Sequence, residues 1–249
     1  MIRVVLRREW HGFFRGPSAW LVLALVQFLV AFQFLSLIEQ FEAALPRLAR
    51  LAQAPGLTEL VVQPLMMMVA MLLLFVVPML SMSAIAGERR SNTLCLWQSA
   101  PISLRALVLG KWLGIVSVLA LIWLSTALLC LTLAWGTELD WKALFSALLG
   151  LALFILATSA IGLFFSTLAS LPALAALGSF TCLLFLWVCD WSGQFDDAPT
   201  VFTRLSMMAH FQPLARGLMD TADIGYFLVL TLGALLLSVW RLDGERRAL

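Results

Sequence analysis

The chain has 249 residues, 62% of them hydrophobic and only 12% charged, with a formal net charge of +2. A soluble domain carries about a quarter charged residues, and no soluble fold can hide this much apolar surface, so lipid must be its solvent. With only two histidines, His11 and His210, a histidine-rich metal site is excluded as well.

At the N-terminus, Ile2, Leu6, Trp10 and Phe13 recur at helical spacing, with Arg3 and Arg7 on another face. This pattern predicts an amphipathic helix over residues 1–16, lying in the inner headgroup layer. A disordered basic tail is the plainer reading of the same charges. No small-residue cleavage site follows, so a cleaved signal peptide is not expected. Gly16-Pro17 then turns the chain into the membrane. A crossing takes about 20 apolar helical residues, and residues 17–38 supply the first. Residues 39–59 carry Phe41, Leu45, Leu48 and Ala52 at helical spacing and are expected to form a separate helix on the outer surface, stopped by Pro55-Gly56. Residues 60–86 supply the second span.

Residues 87–111 form a short, basic connector, GERRSNTLCLWQSAPISLRALVLGK, between two long apolar stretches. Glu88, Arg89 and Arg90 close the second span. Thr93, Leu94 and Trp97 share one face of a short helix that ends before Pro101-Ile102. Ser103 is placed to cap a new helix, with Arg105 and Lys111 at the membrane surface. A rigid helix with an aromatic tip, braced by charges that cannot enter lipid, can pass a push from a soluble partner to two membrane helices. An ordinary basic loop with a proline turn accounts for the same residues.

No charge occurs between Lys111 and Glu138, and the third span covers residues 111–136. Residues 143–189 are also free of charge, too long a run for one helix. The segment STLASLP, ending at Pro172, supplies the break, because proline prefers the first turn of a following helix. Spans four and five are therefore residues 143–167 and 172–190, joined tightly. Residues 191–223 are long enough for two short helices re-entering the outer leaflet, provided their backbone stays paired. There His210, Phe211, Arg216 and Asp220 are candidates for contact with a substrate or partner. The alternative is that they mark the wet end of an interfacial helix. Asp223 is expected to cap the sixth span, residues 224–240.

An even number of spans puts both termini on one side. That side collects eleven of the Lys and Arg residues against five on the other, and four acids against ten. The excess of basic residues assigns it to the cytoplasm. Cys95, Cys130, Cys182 and Cys189 show no CxxC spacing and read as packing residues.

The loops are informative by what they lack. Gly110-Lys111 is a fragment of a phosphate-binding loop without its upstream glycine or hydroxyl residue. No HExxH or GxSxG appears, and no span interior carries Asp, Glu, Lys, Arg or His. Proton-driven carriers keep such groups at mid-membrane, so energy for transport must come from another subunit. An intramembrane enzyme would need a nucleophile–base pair or metal cluster that the spans do not offer.

The connector resembles that of the type-2 ABC exporter permeases. Glu88, Arg89, Arg90, Thr93, Leu94, Pro101, Ile102, Ser103, Gly110 and Lys111 stand at the matching positions, while Asn92 replaces the usual glycine and Cys95 the usual glutamate. Residues 209–227, through His210, Phe211, Arg216, Gly217, Asp220, Asp223 and Tyr226, look like the segment before the last span of the gliding-motility-associated, GldF-like permeases. NosY-like permeases are a more distant likeness.

The resemblance covers all six spans. It implies an all-α polytopic permease, one domain over residues 1–249, in a bacterial cytoplasmic membrane. It also implies cytoplasmic ABC ATPase subunits that bind the connector and hold ATP and magnesium, with no cofactor in this chain. A second permease copy is expected, as a homodimer, and a GldG-like extracytoplasmic membrane-anchored subunit fits the same likeness. No nucleic acid is expected. Glu88, Arg89, Arg90, Thr93, Leu94, Trp97, Pro101, Ile102, Arg105 and Lys111 are then the ATPase-coupling candidates. The expected function is coupling of a separate ATPase to export or force transmission; the alternative is a non-transporting scaffold of a gliding or secretion apparatus.

Overall fold

The computed structural model describes residues 2–48, 56–91, 93, 103–135, 140–189 and 204–247, and all regular structure among them is helical. Leu94, Trp97, Pro101 and Ile102 of the connector, and residues 190–203 of the expected re-entrant segment, lie outside the described residues.

Helix α1 (Ile2–Arg15) is the expected amphipathic helix, and a bend at Gly16 leads into α2 (Pro17–Leu48). Proline costs nothing at that first position, since its missing N–H would have had no partner there. The separate outer-surface helix expected after residue 38 is corrected by the structure: α2 runs unbroken to Leu48. Glu39, Gln40, Glu42, Ala43 and Ala44 give the helix no reason to stop before Pro46. At about 1.5 Å per residue such a helix outruns a hydrocarbon core of ~30 Å, so its end projects beyond the lipid.

A π-helical turn, Thr58–Val62, feeds α3 (Gln63–Ser81), and a turn over residues 82–85 separates α3 from the five-residue α4 (Ala86–Arg90). Pro78, inside α3 just before this break, brings no N–H to the helical ladder. Helix α5 (Leu104–Thr132) is capped by Ser103, whose hydroxyl accepts from the Ala106 N–H at 3.3 Å. Helix α6 (Trp141–Leu168) is capped by Asp140, which accepts from the N–H groups of Lys142 and Ala143 at 3.0 and 3.3 Å. It ends where the sequence placed the break, and α7 (Pro172–Val188) follows with proline in its first turn. Helices α8 (Met207–Ala215) and α9 (Thr221–Arg247) complete the chain.

Among the described residues, five stretches are long and apolar enough to cross a membrane: Ala19–Pro46, Thr58–Arg90, Leu104–Thr132, Trp141–Leu168 and Thr221–Arg247. Helix α7 is apolar too, but its 17 residues are fewer than those of the other five. The protein is therefore an all-α, multi-pass membrane protein. Large apolar side chains such as Phe28 and Phe32 of α2, Leu177 of α7 and Leu236 of α9 face outward, as lipid contact requires.

Helix α6 is the axis of the bundle and packs against α3, α5, α7, α8 and α9. In lipid no hydrophobic force draws helices together, so close backbone approach and interhelical hydrogen bonds must do so. Gly150 and Gly162 provide the approach. A Cβ at Gly150 would lie 2.8 Å from Leu214 Cβ, and one at Gly162 would collide with the Ser81 hydroxyl. Hydrogen bonds come from Ser146 to the Leu214 carbonyl (2.9 Å), from the Trp112 indole to Ser159 (3.0 Å) and from the Trp123 indole to the Leu148 carbonyl (2.8 Å). Each ties α6 to a different stretch of a neighbour.

Candidate functional site

Helix α1, helix α4, the start of α5, the turn between α6 and α7, and the C-terminal end of α9 meet at one end of the bundle, here called the basic end. Their meeting point is α4, whose sequence is AGERR.

Glu88 faces α5 and α1. Its Oε1 lies 2.9 Å from Lys111 Nζ and 4.0 Å from Arg8, while its buried Oε2 has no hydrogen-bond partner among the described residues. Lys111 was expected at the membrane surface; instead its side chain is 1% exposed and reaches Glu9 as well, at 2.9 Å. Two carboxylates compensate the buried ammonium, which alone would be too costly to desolvate. Gly114, one turn further along α5, makes room for this contact: a Cβ there would lie 2.8 Å from the Cβ of Glu9.

Arg89 faces the other way. Its guanidinium donates to the carbonyls of Ala169 and Thr167, each at 3.0 Å, and to both carboxylate oxygens of Glu245 at 2.7 and 2.9 Å. The last carbonyls of a helix have no partner within it, so one side chain both closes α6 and binds α9. The planar fork of arginine suits this four-way contact as lysine would not.

Ser166 of α6 spans the break in the second span. Its hydroxyl accepts from the N–H groups of Ile85 and Ala86, at 3.0 and 3.1 Å, and donates to the Met82 carbonyl at 3.1 Å. These are backbone groups that the interruption of the helix would otherwise leave buried and unmet.

The rest of the connector is described only in part. Thr93 folds back, its N–H donating to the Glu88 carbonyl at 3.0 Å. Arg90 and Arg105 are exposed. Of the ten coupling candidates, Glu88, Arg89 and Lys111 thus converge on one node; Arg90 and Arg105 lie on the surface near it.

The outer-side candidates divide differently at the opposite end. Phe211 is fully buried against Phe154, with ring centroids 5.3 Å apart, and is a core position rather than a contact surface. His210 is engaged internally: its Nδ1 lies 2.7 Å from Asp223, its Nε2 lies 3.1 Å from the Arg204 carbonyl, and its ring stacks on Tyr226 at 4.1 Å. Asp223 was expected to cap the last helix, but Asp220 holds that position, accepting from the Ala222 N–H at 3.0 Å. Arg216 is exposed beside a recess of 370 Å³ that Glu59 and Asp140 also line. Gly217 makes the turn between α8 and α9 at a φ of 94°, where a side chain would be strained.

Sequence reasoning missed the Glu9–Lys111–Glu88 cluster and the Arg89–Glu245 pair. A signal for the first was present, since Glu9 is the sole acid in the first 38 residues. Among the described residues no group of three or more His, Cys, Asp or Glu is placed to hold a metal. What the basic end can do is mechanical: displacement of α4 would act on α1 and α5 through Glu88, and on α6, the turn that follows it and α9 through Arg89.

A family model described as ABC-2 family transporter protein matches residues 3–245 of the chain. No curated protein matches it.

Proposed function

Since the chain belongs to the ABC-2 family of transporter proteins, we propose that it is the permease subunit through which a separate cytoplasmic ATPase drives export or force transmission. The observation that carries this reading is the node at α4. The connector leaves directly from a five-residue helix whose two central charges are bonded to α1, α5, α6 and α9. A push on the connector therefore reaches the bundle without any residue of the spans having to relay a proton.

In this reading the basic end faces the cytoplasm of a bacterial cell, both termini lie there, and six helices cross the inner membrane. Helix α7 counts as the sixth. It starts after the turn held by Arg89 and ends at Val188, packed against α8 at the opposite end. ATP and magnesium belong to the ATPase, which contacts Thr93, Leu94, Trp97, Pro101, Ile102 and Arg105. Two permease copies face each other as a homodimer. The GldF-like subgroup and a GldG-like outer partner rest on the likeness of residues 209–227 alone.

The test is ATP hydrolysis by the co-purified ATPase in proteoliposomes, with and without this subunit. Trp97→Ala and Glu88→Ala are expected to detach the ATPase or to abolish the stimulation. Normal assembly with normal stimulation in both variants would reject the coupling role, and hydrolysis indifferent to the subunit would point to a scaffold.

A further inference from the structure

A cleft of 980 Å³ opens at the basic end between α1 and the adjoining ends of α2 and α3. Its two sides differ in chemistry. Arg7, His11 and Arg15 project from α1 on one side, and Val22 of α2 with Met79 and Leu80 of α3 form the other. The cleft also contains the acids Glu9 and Glu88, but both have an oxygen committed to Lys111 Nζ, at 2.9 Å in each case. Arg8 lies 4.0 Å from Glu88. Arg7 and Arg15 are exposed and have no carboxylate partner among the described residues, so they carry the surplus positive charge of the site.

The level of the cleft in the membrane follows from the aromatic side chains around it. Trp10, Phe14 and Trp20 pack in sequence, with ring centroids 5.0 and 4.9 Å apart. Tryptophan gathers where headgroups meet hydrocarbon, which sets the guanidinium groups at phosphate depth and Val22, Met79 and Leu80 at acyl depth. A soluble anion would satisfy the arginines and leave the apolar wall wet. A zwitterionic lipid would bring its own cation to a site already rich in them. An anionic phospholipid meets both walls.

We propose that this cleft binds one anionic phospholipid of the leaflet at the basic end, its phosphate held by Arg7 and Arg15 and an acyl chain laid along Val22, Met79 and Leu80. The lipid thereby ties α1, and through Glu9 and Lys111 the node, to the membrane surface. The proposal depends on the membrane placement of the chain and not on ATPase coupling, so either can fail without the other.

The experiment is native mass spectrometry of the full chain released from detergent and titrated with phosphatidylglycerol, phosphatidylcholine or inorganic phosphate. One phosphatidylglycerol is expected to be retained about tenfold better than phosphatidylcholine, from the charge of two arginines near a lipid surface. The double variant Arg7→Gln/Arg15→Gln should lose that preference, whereas Arg246→Gln/Arg247→Gln, which removes equal charge from the same end, should keep it. Val22→Trp, which fills the apolar side and leaves every charge in place, should also release the lipid; unchanged thermal unfolding shows that each variant is folded. Equal loss in both double variants, equal retention of the two lipids, retention by the Val22 variant, or displacement of phosphatidylglycerol by millimolar phosphate would each overturn the proposal.

Discussion

Ser166 shows how much a single hydroxyl can hold in a membrane protein. The N–H groups of Ile85 and Ala86 have this oxygen as their partner, and leaving a buried donor unmet costs about 1–3 kcal/mol. Ser166→Ala should therefore lower stability by that order, measured by thermal unfolding in detergent, and should do so without altering any apolar contact. Lys111 is a stronger case, because its loss strands the charges of Glu9 and Glu88. Breaking a buried ion pair from one side costs about 3–5 kcal/mol, so Lys111→Met should be among the most damaging changes near the connector in the same assay. Residues at this end differ in legibility. The role of Ser103 as a cap was readable from its neighbours, since capping is local chemistry. The partners of Lys111 and Arg89 lie up to 102 and 156 residues away, and nothing in local spacing selects one distant carboxylate over another.

Among the elements, glycine separates helices that touch from helices that do not. At Gly162 of α6 a methyl group would meet Ser81 of α3, whereas at Gly233 of α9 it would meet nothing within 4 Å. Gly162→Ala should cost about 1–3 kcal/mol as overpacking. Gly233→Ala should instead stabilise by about 0.5–1 kcal/mol, because alanine is the better helix former. A comparison of the two melting temperatures decides whether α3 and α6 are in the contact described. Sequence reasoning located the break between α6 and α7 from its serine, threonine and proline, and the structure places it there. It read amphipathic spacing after residue 38 as a new element, whereas α2 continues to Leu48. Without a glycine or proline before Pro46, the helix had no cause to stop, and amphipathicity alone marks a change of surroundings rather than a change of chain direction.

For the molecule as a whole, α6 connects the two ends. Its last turns carry Ser166 and the carbonyl that Arg89 holds, and its first turns carry Ser146, which donates to Leu214 of α8. This helix, free of charge beyond Lys142, is thus the direct line between the node and the opposite face. The proposed orientation is open to test with a membrane-impermeant thiol reagent on intact cells. Lys142→Cys, at an exposed position at the start of α6, should react from outside, and Arg246→Cys should react only after the membrane is opened. The reverse pattern would invert the topology. Hydropathy made the membrane class and most spans readable because each is a property of one continuous stretch. The axial role of α6 was not, because it depends on which helices surround it.

The serine bridge across the interrupted second span has a further consequence for how this end can respond to load. A hydroxyl has one hydrogen and two lone pairs, and Ser166 has committed all three, to Met82, Ile85 and Ala86. With no spare valence, it cannot exchange these contacts one at a time as the segment tilts. Small forces should leave the joint rigid, and beyond a threshold it should release all at once, giving an abrupt two-position action instead of a graded one.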